Sequence, residues 1–311
     1  MLRLILASLA LVIACVARAQ EPANPASQRA ILVTGASTGI GRAITERLAA
    51  QGHFVFAGAR KPADLAALAR IENVHPVRLD VTDQADIDAA RKLVEASGRG
   101  LYALVNNAGV TTLGSVVALP QSEFDLMMSV NAAGPWRVTK AFAPLVAASR
   151  GRITTIGSIS GILAGENNSA YSMSKHAVEA FTDALAAEMQ GAGVRVSLIE
   201  PGNYNTPIAR KAAERIGPGL DPRFARLADR SRYKEPDEVA ATVLRALFEP
   251  DPKLRYLIVP EEREAERTIR RQILRLVQLN EGHAYTFDRA ALIAMLDEEL
   301  AKAKPRTAGQ P

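Results

Sequence analysis

The chain has one cysteine, Cys15, in 311 residues. No intramolecular disulfide can form, and no cysteine-based metal site can be built. Histidine is scarce too. His53, His75, His176 and His283 are scattered, none with a partner at ligand spacing, so a structural role fits each and no metal site is expected. Internal repeats and low-complexity tracts are absent. Aromatic residues make up only 5% of the chain, which leaves little to stack bases on. The positive charge is also confined rather than spread over a face. Both points argue against a nucleic-acid binder.

The net charge is +5, from 38 Lys and Arg against 33 Asp and Glu. Between Arg210 and Lys234 lie eight basic and three acidic residues, which alone give +5. The remaining chain carries 30 of each sign. The single long apolar run is N-terminal, Leu4 to Ala17 in "MLRLILASLALVIACVARAQ", between Arg3 and Arg18. As a helix it spans about 21 Å, short of a bilayer core of about 30 Å. It fits the core of a secretory signal, with Ala17-Arg18-Ala19 as a small-x-small cleavage site. "VIAC" ending at Cys15 also resembles a lipoprotein signal with an acylated cysteine. The expectation is membrane or envelope targeting. The alternative is a cytoplasmic enzyme whose start codon has been set too far upstream.

From Ala30 the pattern alternates. Short runs apolar or small on both faces occur at "AILVTG", "HFVFAGAR", "VHPVRLDV", "YALVNNAG", "RITTIGS", "VRVSLIEPG" and "RYLIV". Helical stretches separate them: Gly39 to Gln51, Pro62 to Ala69, Asp83 to Ser97, Ser122 to Ala147, Ala170 to Gln190 and Pro236 to Phe248. Strand and helix in turn predict an α/β fold, a doubly wound parallel sheet of about seven strands with right-handed crossovers. One helix falls outside the alternation. In "EEREAERTIRRQILRLVQL", Ile269, Ile273, Leu276 and Val277 recur at helical spacing, a stripe for packing against the domain or a twin subunit. Its five arginines make a membrane-surface role the alternative, although four glutamates offset them. The expected organisation is a targeting segment 1–19, a linker 20–29, a catalytic domain 30–260 with a segment 207–234 above it, a helical extension 261–303 and a tail 304–311.

After the first strand comes "TGASTGIGRA". Gly35 permits a sharp turn, Gly39 lets backbone approach a pyrophosphate, and Gly41 lets helix and strand pack closely. The helix N-terminus behind them offers unpaired N–H groups to an anion. An acidic residue about 20 positions on would hold an NAD ribose. Arg60 and Lys61 stand there instead, and no Asp or Glu occurs from Gly52 to Arg60. A guanidinium can bind the 2′-phosphate that a carboxylate repels, so NADP(H) is preferred. Ala59 tolerates either cofactor, which keeps NAD(H) as the alternative. In "SAYSMSKHAVEAF", Tyr171 and Lys175 stand four apart at the start of a helix. That spacing suits a surface pair or an acid–base couple, and alone it does not decide.

"TGASTGIG", "NNAG" at 106–109, "VNAAG" at 130–134, Ser158 in "TTIGSISG", "YSMSK" at 171–175 and "EPGNYNTP" at 200–207 stand in the order and spacing of the short-chain dehydrogenase/reductases. The resemblance covers about residues 30–260. The wording "VRVSLIEPGNYNT" and "FAGARK" is most similar to the hydroxysteroid and retinol dehydrogenase branch. The resemblance implies a Rossmann fold and hydride transfer between a nicotinamide cofactor and an alcohol or carbonyl carbon. Tyr171 would be the general acid/base. A phenol titrates near 10, and an opposite charge within ~4–6 Å lowers that value, which is the part assigned to Lys175. The same lysine would also bond the nicotinamide ribose. Ser158 would orient the substrate oxygen. Asn131 would hold a water linking Lys175 to solvent, its plain alternative being to bend a helix. For the cofactor, the resemblance implies Gly35, Ser37, Gly39, Ile40 and Gly41 at the phosphates, with Arg60 and Asp80 at the adenosine. Asn106, Ala108 and Gly109 would line the adenosine side and stabilise the sheet, with Asn107 also at the cofactor, and Pro201, Gly202 and Thr206 would flank the nicotinamide.

The family also implies that 207–234 is a mobile lid. Between it and apolar "GILAG" (161–165), a small hydrophobic alcohol or ketone is the expected substrate. The lid's charge points to an anionic substrate or lipid surface, or to a merely solvated face. A dimer or tetramer is the implied assembly. A non-catalytic nucleotide sensor on the same fold, or an isomerase or dehydratase using the same tyrosine, are the competing functions. An intact Asn131, Ser158, Tyr171 and Lys175 argues against the sensor.

Overall fold

The computed structural model describes residues 28–217 and 228–302. The signal-like segment, most of the linker, the middle of the lid and the tail lie outside the described residues. Seven strands form one parallel sheet in the order β3-β2-β1-β4-β5-β6-β7. They are β1 (Ala30–Val33), β2 (Phe54–Ala59), β3 (Val74–Arg78), β4 (Ala103–Asn106), β5 (Arg152–Ile156), β6 (Arg195–Pro201) and β7 (Arg255–Ile258). This is the doubly wound α/β fold that the alternating pattern predicts.

The apolar runs are continuous because both sheet faces are covered. Ile31 and Val33 of β1 pack with Ile44 and Leu48 of α1 (Gly39–Ala50). Val239, Val243 and Leu247 of α8 (Asp237–Phe248) complete that layer. Ala30 and Leu32, one residue out of phase, join the opposite layer. There they meet Ile87 and Val94 of α3 (Gln84–Ala96) and Val138 and Phe142 of α5 (Gly134–Ala148). Between β2 and β3 lies the short α2 (Pro62–Leu68). Pro76 sits in β3, where the sheet ends and a missing N–H costs no ladder bond. Asp83 caps α3 by accepting from the Ala85 N–H at 2.9 Å.

The sequence pattern predicts one helix from Ser122 to Ala147, and the structure divides it. It runs as α4 (Gln121–Met127), a π-helical stretch (Met128–Ala133) and α5. Asn131 sits in the widened turn, where its side chain accepts from the Val110 N–H and donates to the Val110 carbonyl, both at 2.9 Å. The helical backbone continues through this stretch, and the π turn is where Asn131 is held across to Val110.

The order of strands reverses between β1, which leads outward to β2, and β4, which leads the other way. A crevice opens there at the carboxyl ends, the usual ligand position of such sheets. Two elements flank it: α6 (Ser169–Gln190) and the lid helix α7 (Ile208–Ile216). Past β7, α9 (Glu262–Leu279) and α10 (Arg289–Lys302) follow. Of α9, Thr268 alone is buried, while Ile269, Ile273, Leu276 and Val277 are exposed. The stripe is therefore not covered by the domain's own described residues. No helix among the described residues is long and apolar enough to cross a membrane.

Phe142 is fully buried in the layer formed by α3, α5 and the sheet. Phe142→Ala should lower the unfolding free energy by about 3–5 kcal/mol through lost contacts and the cavity left behind. Chemical denaturation would measure it, and a change below about 1 kcal/mol would mean that this layer is not close-packed.

Candidate active site

The crevice encloses about 720 Å³. At one end is the turn between β1 and α1. Gly35 has φ +65°, and a Cβ there would come within 2.8 Å of the Ala108 Cα. At Gly41 a Cβ would overlap the Asn107 amide and the Gly35 carbonyl. These two glycines fold the turn tightly against the end of β4. Asn107 holds it there, donating to the carbonyls of Thr34 at 2.9 Å and Gly35 at 3.1 Å. Thr38, the N-cap of α1, makes no side-chain cap bond, and the first turn carries no acidic residue. The N–H groups of this helix end are thus left for an anion, so a pyrophosphate fits the cradle.

Beside the turn, three cations gather. Arg60 ends β2 and reaches Asp80 at 3.3 Å. Lys61 follows it on the crevice wall. Lys211 comes from the lid helix, donating to the Thr38 hydroxyl at 2.8 Å. Burial lowers the Lys211 pKa, and the neighbouring Lys61, Arg210 and Arg60 lower it further, against the opposing charge of Asp64. Burial tends to raise the Asp80 carboxyl. Thr82, through its hydroxyl and N–H, and Arg60 outweigh that and hold it below the ordinary range. The Arg60–Asp80 pair is an exposed ion pair at the arginine end and holds its partners weakly.

At the other end, β5 delivers Ser158 and α6 delivers Tyr171 and Lys175. Ser158 Oγ accepts from the Ser160 N–H at 3.1 Å, which leaves its own O–H to turn toward the cavity. The Lys175 ammonium is almost wholly buried, donates to the Ile156 carbonyl at 2.8 Å and lies 5.8 Å from the centre of the Tyr171 ring. Burial pushes the ammonium's pKa down to about 8, and Glu179, one turn along α6, works against that. The Tyr171 phenol is held above its ordinary value by burial, opposed by a hydrogen bond with Ser158 and by the charge of Arg230. This differs from the phenolate-favouring couple that the resemblance implies. One of the lysine's protons goes to a carbonyl, Ser158 and the charge of Arg230 lower the pKa of the resting phenol, and desolvation outweighs both.

Glu179 is itself held at 3.0 Å by Arg255 of β7. The buried Glu200 carboxyl on β6 is pushed up by its burial and by Glu179 beside it.

Of the residues expected at the site, Gly35, Ser37, Gly39, Ile40, Gly41, Arg60, Asp80, Asn107, Gly109, Ser158, Tyr171, Lys175, Pro201, Gly202 and Thr206 all line this crevice. Two others stand apart from it. Asn106 is buried against α5, donating to Thr139 Oγ1 at 2.9 Å, and so serves the sheet. Asn131 lies behind the crevice wall. Its amide donates to Ser174 Oγ at 3.0 Å, and that hydroxyl donates to the Tyr171 carbonyl at 2.7 Å. Asn131 thereby steadies the backbone that carries the tyrosine. Sequence reasoning overlooked Ser174, Lys211 and Arg230. Ser174 was legible as a small polar residue inside "YSMSK", whereas the other two were submerged in the bulk charge of the lid.

Comparison with known proteins agrees with this geometry. A family model described as short chain dehydrogenase matches residues 29–217. Over 192 residues the chain is 36% identical to a mitochondrial D-beta-hydroxybutyrate dehydrogenase of Bos taurus, covering 58% of this chain and 56% of that protein. Over 189 residues it is 38% identical to retinol dehydrogenase 5 of Mus musculus, covering 59% of each. The chain thus spans less than two thirds of the length of these curated relatives, and the second agrees with the branch that the local wording suggests. A crystal structure of a short chain dehydrogenase/reductase from Burkholderia phymatum in complex with NAD superposes with a TM-score of 0.71 at 26% identity, covering 84% of this chain and 98% of that one. Because the matched stretch runs from the first strand into the lid helix and includes Ser158, Tyr171 and Lys175, the chain belongs to the short-chain dehydrogenase/reductase family of oxidoreductases.

Proposed function

We propose that this enzyme transfers a hydride between NADP(H) and the carbonyl or secondary alcohol carbon of a hydrophobic substrate, with Tyr171 as the proton carrier. The observation that carries the reading is the cluster in which Tyr171 bonds Ser158 beside the buried ammonium of Lys175. When bound, the dinucleotide supplies or takes up the hydride. Its phosphates would lie on the turn of Gly35 to Gly41, and its 2′-phosphate among Arg60, Lys61 and Lys211. Three cations facing one crevice repel one another, and an added anion relieves that repulsion. Arg60 can leave Asp80 at little cost, since exposed ion pairs are worth about 0–1 kcal/mol.

Ser158 would donate to the substrate oxygen, and Tyr171 would give its proton to that oxygen in reduction or take it back in oxidation. Because burial keeps the phenol protonated, the resting site is set for reduction. Lys175 would stabilise the phenolate left after transfer, its ammonium held in place by the Ile156 carbonyl. The relatives named for D-beta-hydroxybutyrate and retinol support an alcohol or its carbonyl counterpart as substrate. Leu113, Leu163 and Ile208 give the substrate end an apolar wall.

Three outcomes follow for purified enzyme. Tyr171→Phe should cut NADPH oxidation with a reactive ketone by about 10²–10⁴-fold, the usual worth of a positioned general acid. Equal rates in both proteins would sink the assignment of the proton carrier. Arg60→Ala should raise the KM for NADPH by about tenfold and leave that for NADH nearly unchanged, since a charged hydrogen bond is worth roughly 1.5–3 kcal/mol. Parallel changes with both cofactors would remove the preference. The Lys175 ammonium is charged below about 8 and neutral above it. The kcat/KM for reduction should therefore hold level through neutral pH and fall above that value, because it reports the free enzyme. A profile level well into the alkaline range would contradict the part given to this ammonium.

A further inference from the structure

Behind the lysine lies a buried acid that the reaction does not touch. Glu200 on β6 is almost wholly buried. It stands on the face of β6 that α6 covers, the face on which Val196 packs with Leu185. In the next strand Arg255 pairs in register with Leu198, so its side chain emerges on that same face. Arg255 reaches α6 from there, bonding Glu179 at 3.0 Å and Asp183 at 2.7 Å. Glu179 thus stands over Glu200, and the two carboxyls lie within hydrogen-bond reach of each other. Gly161 leaves room for the upper one. A Cβ there would come within 2.6 Å of Glu179 Oε1 and 3.1 Å of the Lys175 carbonyl.

As two carboxylates, these groups would face each other without a donor. Glu179 Oε1 and Glu200 Oε1 are both buried, and no N–H or O–H among the described residues reaches either. A buried acceptor left without a donor is costly. One proton between the two oxygens supplies the donor. The local charges lead to the same answer. The charged groups that face the pair are Lys175 and Asp183 from α6 and Arg255 from β7. The turn Ile159–Gly161, packed on α6 beside them, brings no titratable side chain. Lys175 and Arg255 are two cations, and Glu179 and Asp183 are two anions. A charged Glu200 would leave one negative charge in excess. Burial and the neighbouring Glu179 push the Glu200 carboxyl above the usual carboxylate range, against the pull of Arg255.

The one charge that remains bears on the reaction. Burial works to discharge the Lys175 ammonium, and Glu179 opposes it. We propose that Glu179 and Glu200 share one proton and act as a monoanion behind Lys175, positioning residues that keep its ammonium charged when Tyr171 gives up its proton. This rests on the reading of Lys175 as the group that stabilises the phenolate, and it adds what holds that lysine in its working state. The shared proton removes the repulsion between the carboxyls and leaves a single negative charge for the lysine to face.

The test reads the proton and the lysine separately in the resting full chain, so neither depends on turnover. Infrared difference spectroscopy should find a protonated carboxyl at neutral pH, where an ordinary glutamate, titrating at about 4.3, is ionised. The band should shift in heavy water and vanish in Glu200→Gln, whose amide can still donate to Glu179. Lys175 is followed by NMR of carbon-13-labelled lysine, assigned with Lys175→Arg. Between Glu200→Gln and the double variant Glu179→Gln/Glu200→Gln the pair loses its one charge, and the Lys175 titration should fall by about one pH unit. A merely structural pair would leave that titration in place. A wild type without the carboxyl band, a band that survives Glu200→Gln, or equal Lys175 titrations in the single and double variants would each overturn the proposal. The wild-type spectrum requires no variant to fold, so its outcome alone is decisive. A Lys175 titration that falls as expected, while the alkaline decline of kcat/KM stays in place, would uphold the pair and defeat only the part given to Lys175 in the reaction.

Discussion

A buried ammonium is costly unless its protons find acceptors. Here Lys175 on α6 finds one in the Ile156 carbonyl, at the last residue of β5. That bond ties the start of the helix to the end of the strand, and the site depends on it. Ser158 stands two residues past the tied carbonyl and Tyr171 one turn before the tied lysine. With the helix and strand held together, phenol and hydroxyl meet over the crevice. Asn131 braces the same spot from behind, through Ser174 and the Tyr171 carbonyl. The widened turn around Asn131 interrupts a regular helix and is where that brace is attached.

The second constraint is where charge goes. The lid looks uniformly basic in sequence, yet its described cations serve different ends. Lys211 reaches the phosphate turn, Arg215 locks to Glu123, and Arg230 faces the tyrosine. One surface segment thus addresses the cofactor end, the frame and the substrate end. Helix α9 adds Arg267 at the mouth and is tied there by Glu264, which accepts from the Asn203 side chain at 2.6 Å. The C-terminal extension thus belongs to the crevice as well as to the exposed surface that carries its apolar stripe.

Both the fold and the family were largely legible because they rest on local rules. Runs apolar on both faces mark strands buried between two layers, as Ile31 and Leu32 illustrate by facing opposite sides. Gly35 and Gly41 announce a turn that no side chain would fit. What stayed hidden depends on partners far apart in the chain. The helix expected across residues 122–147 widens into a π turn around Asn131, whose side chain pairs with Val110 across space. Asn106, read as lining the adenosine side and stabilising the sheet, turns to Thr139 and does only the second. The phenol expected to lose its proton easily is held up by desolvation, a quantity that spacing does not carry.

The amino-acid order by itself determined the alternation of strand and helix, the glycine turn, and the identity and spacing of Tyr171 and Lys175, since each follows from side-chain size, periodicity and backbone freedom within a few residues. Only the tertiary structure decided where each charge is directed. It matched Arg215 to Glu123 and Glu264 to Asn203, sent Lys211 to one end of the crevice and set Arg230 and Arg267 at the other. Electrostatic and desolvation energies depend on distance and burial in space, and separation along the chain encodes neither.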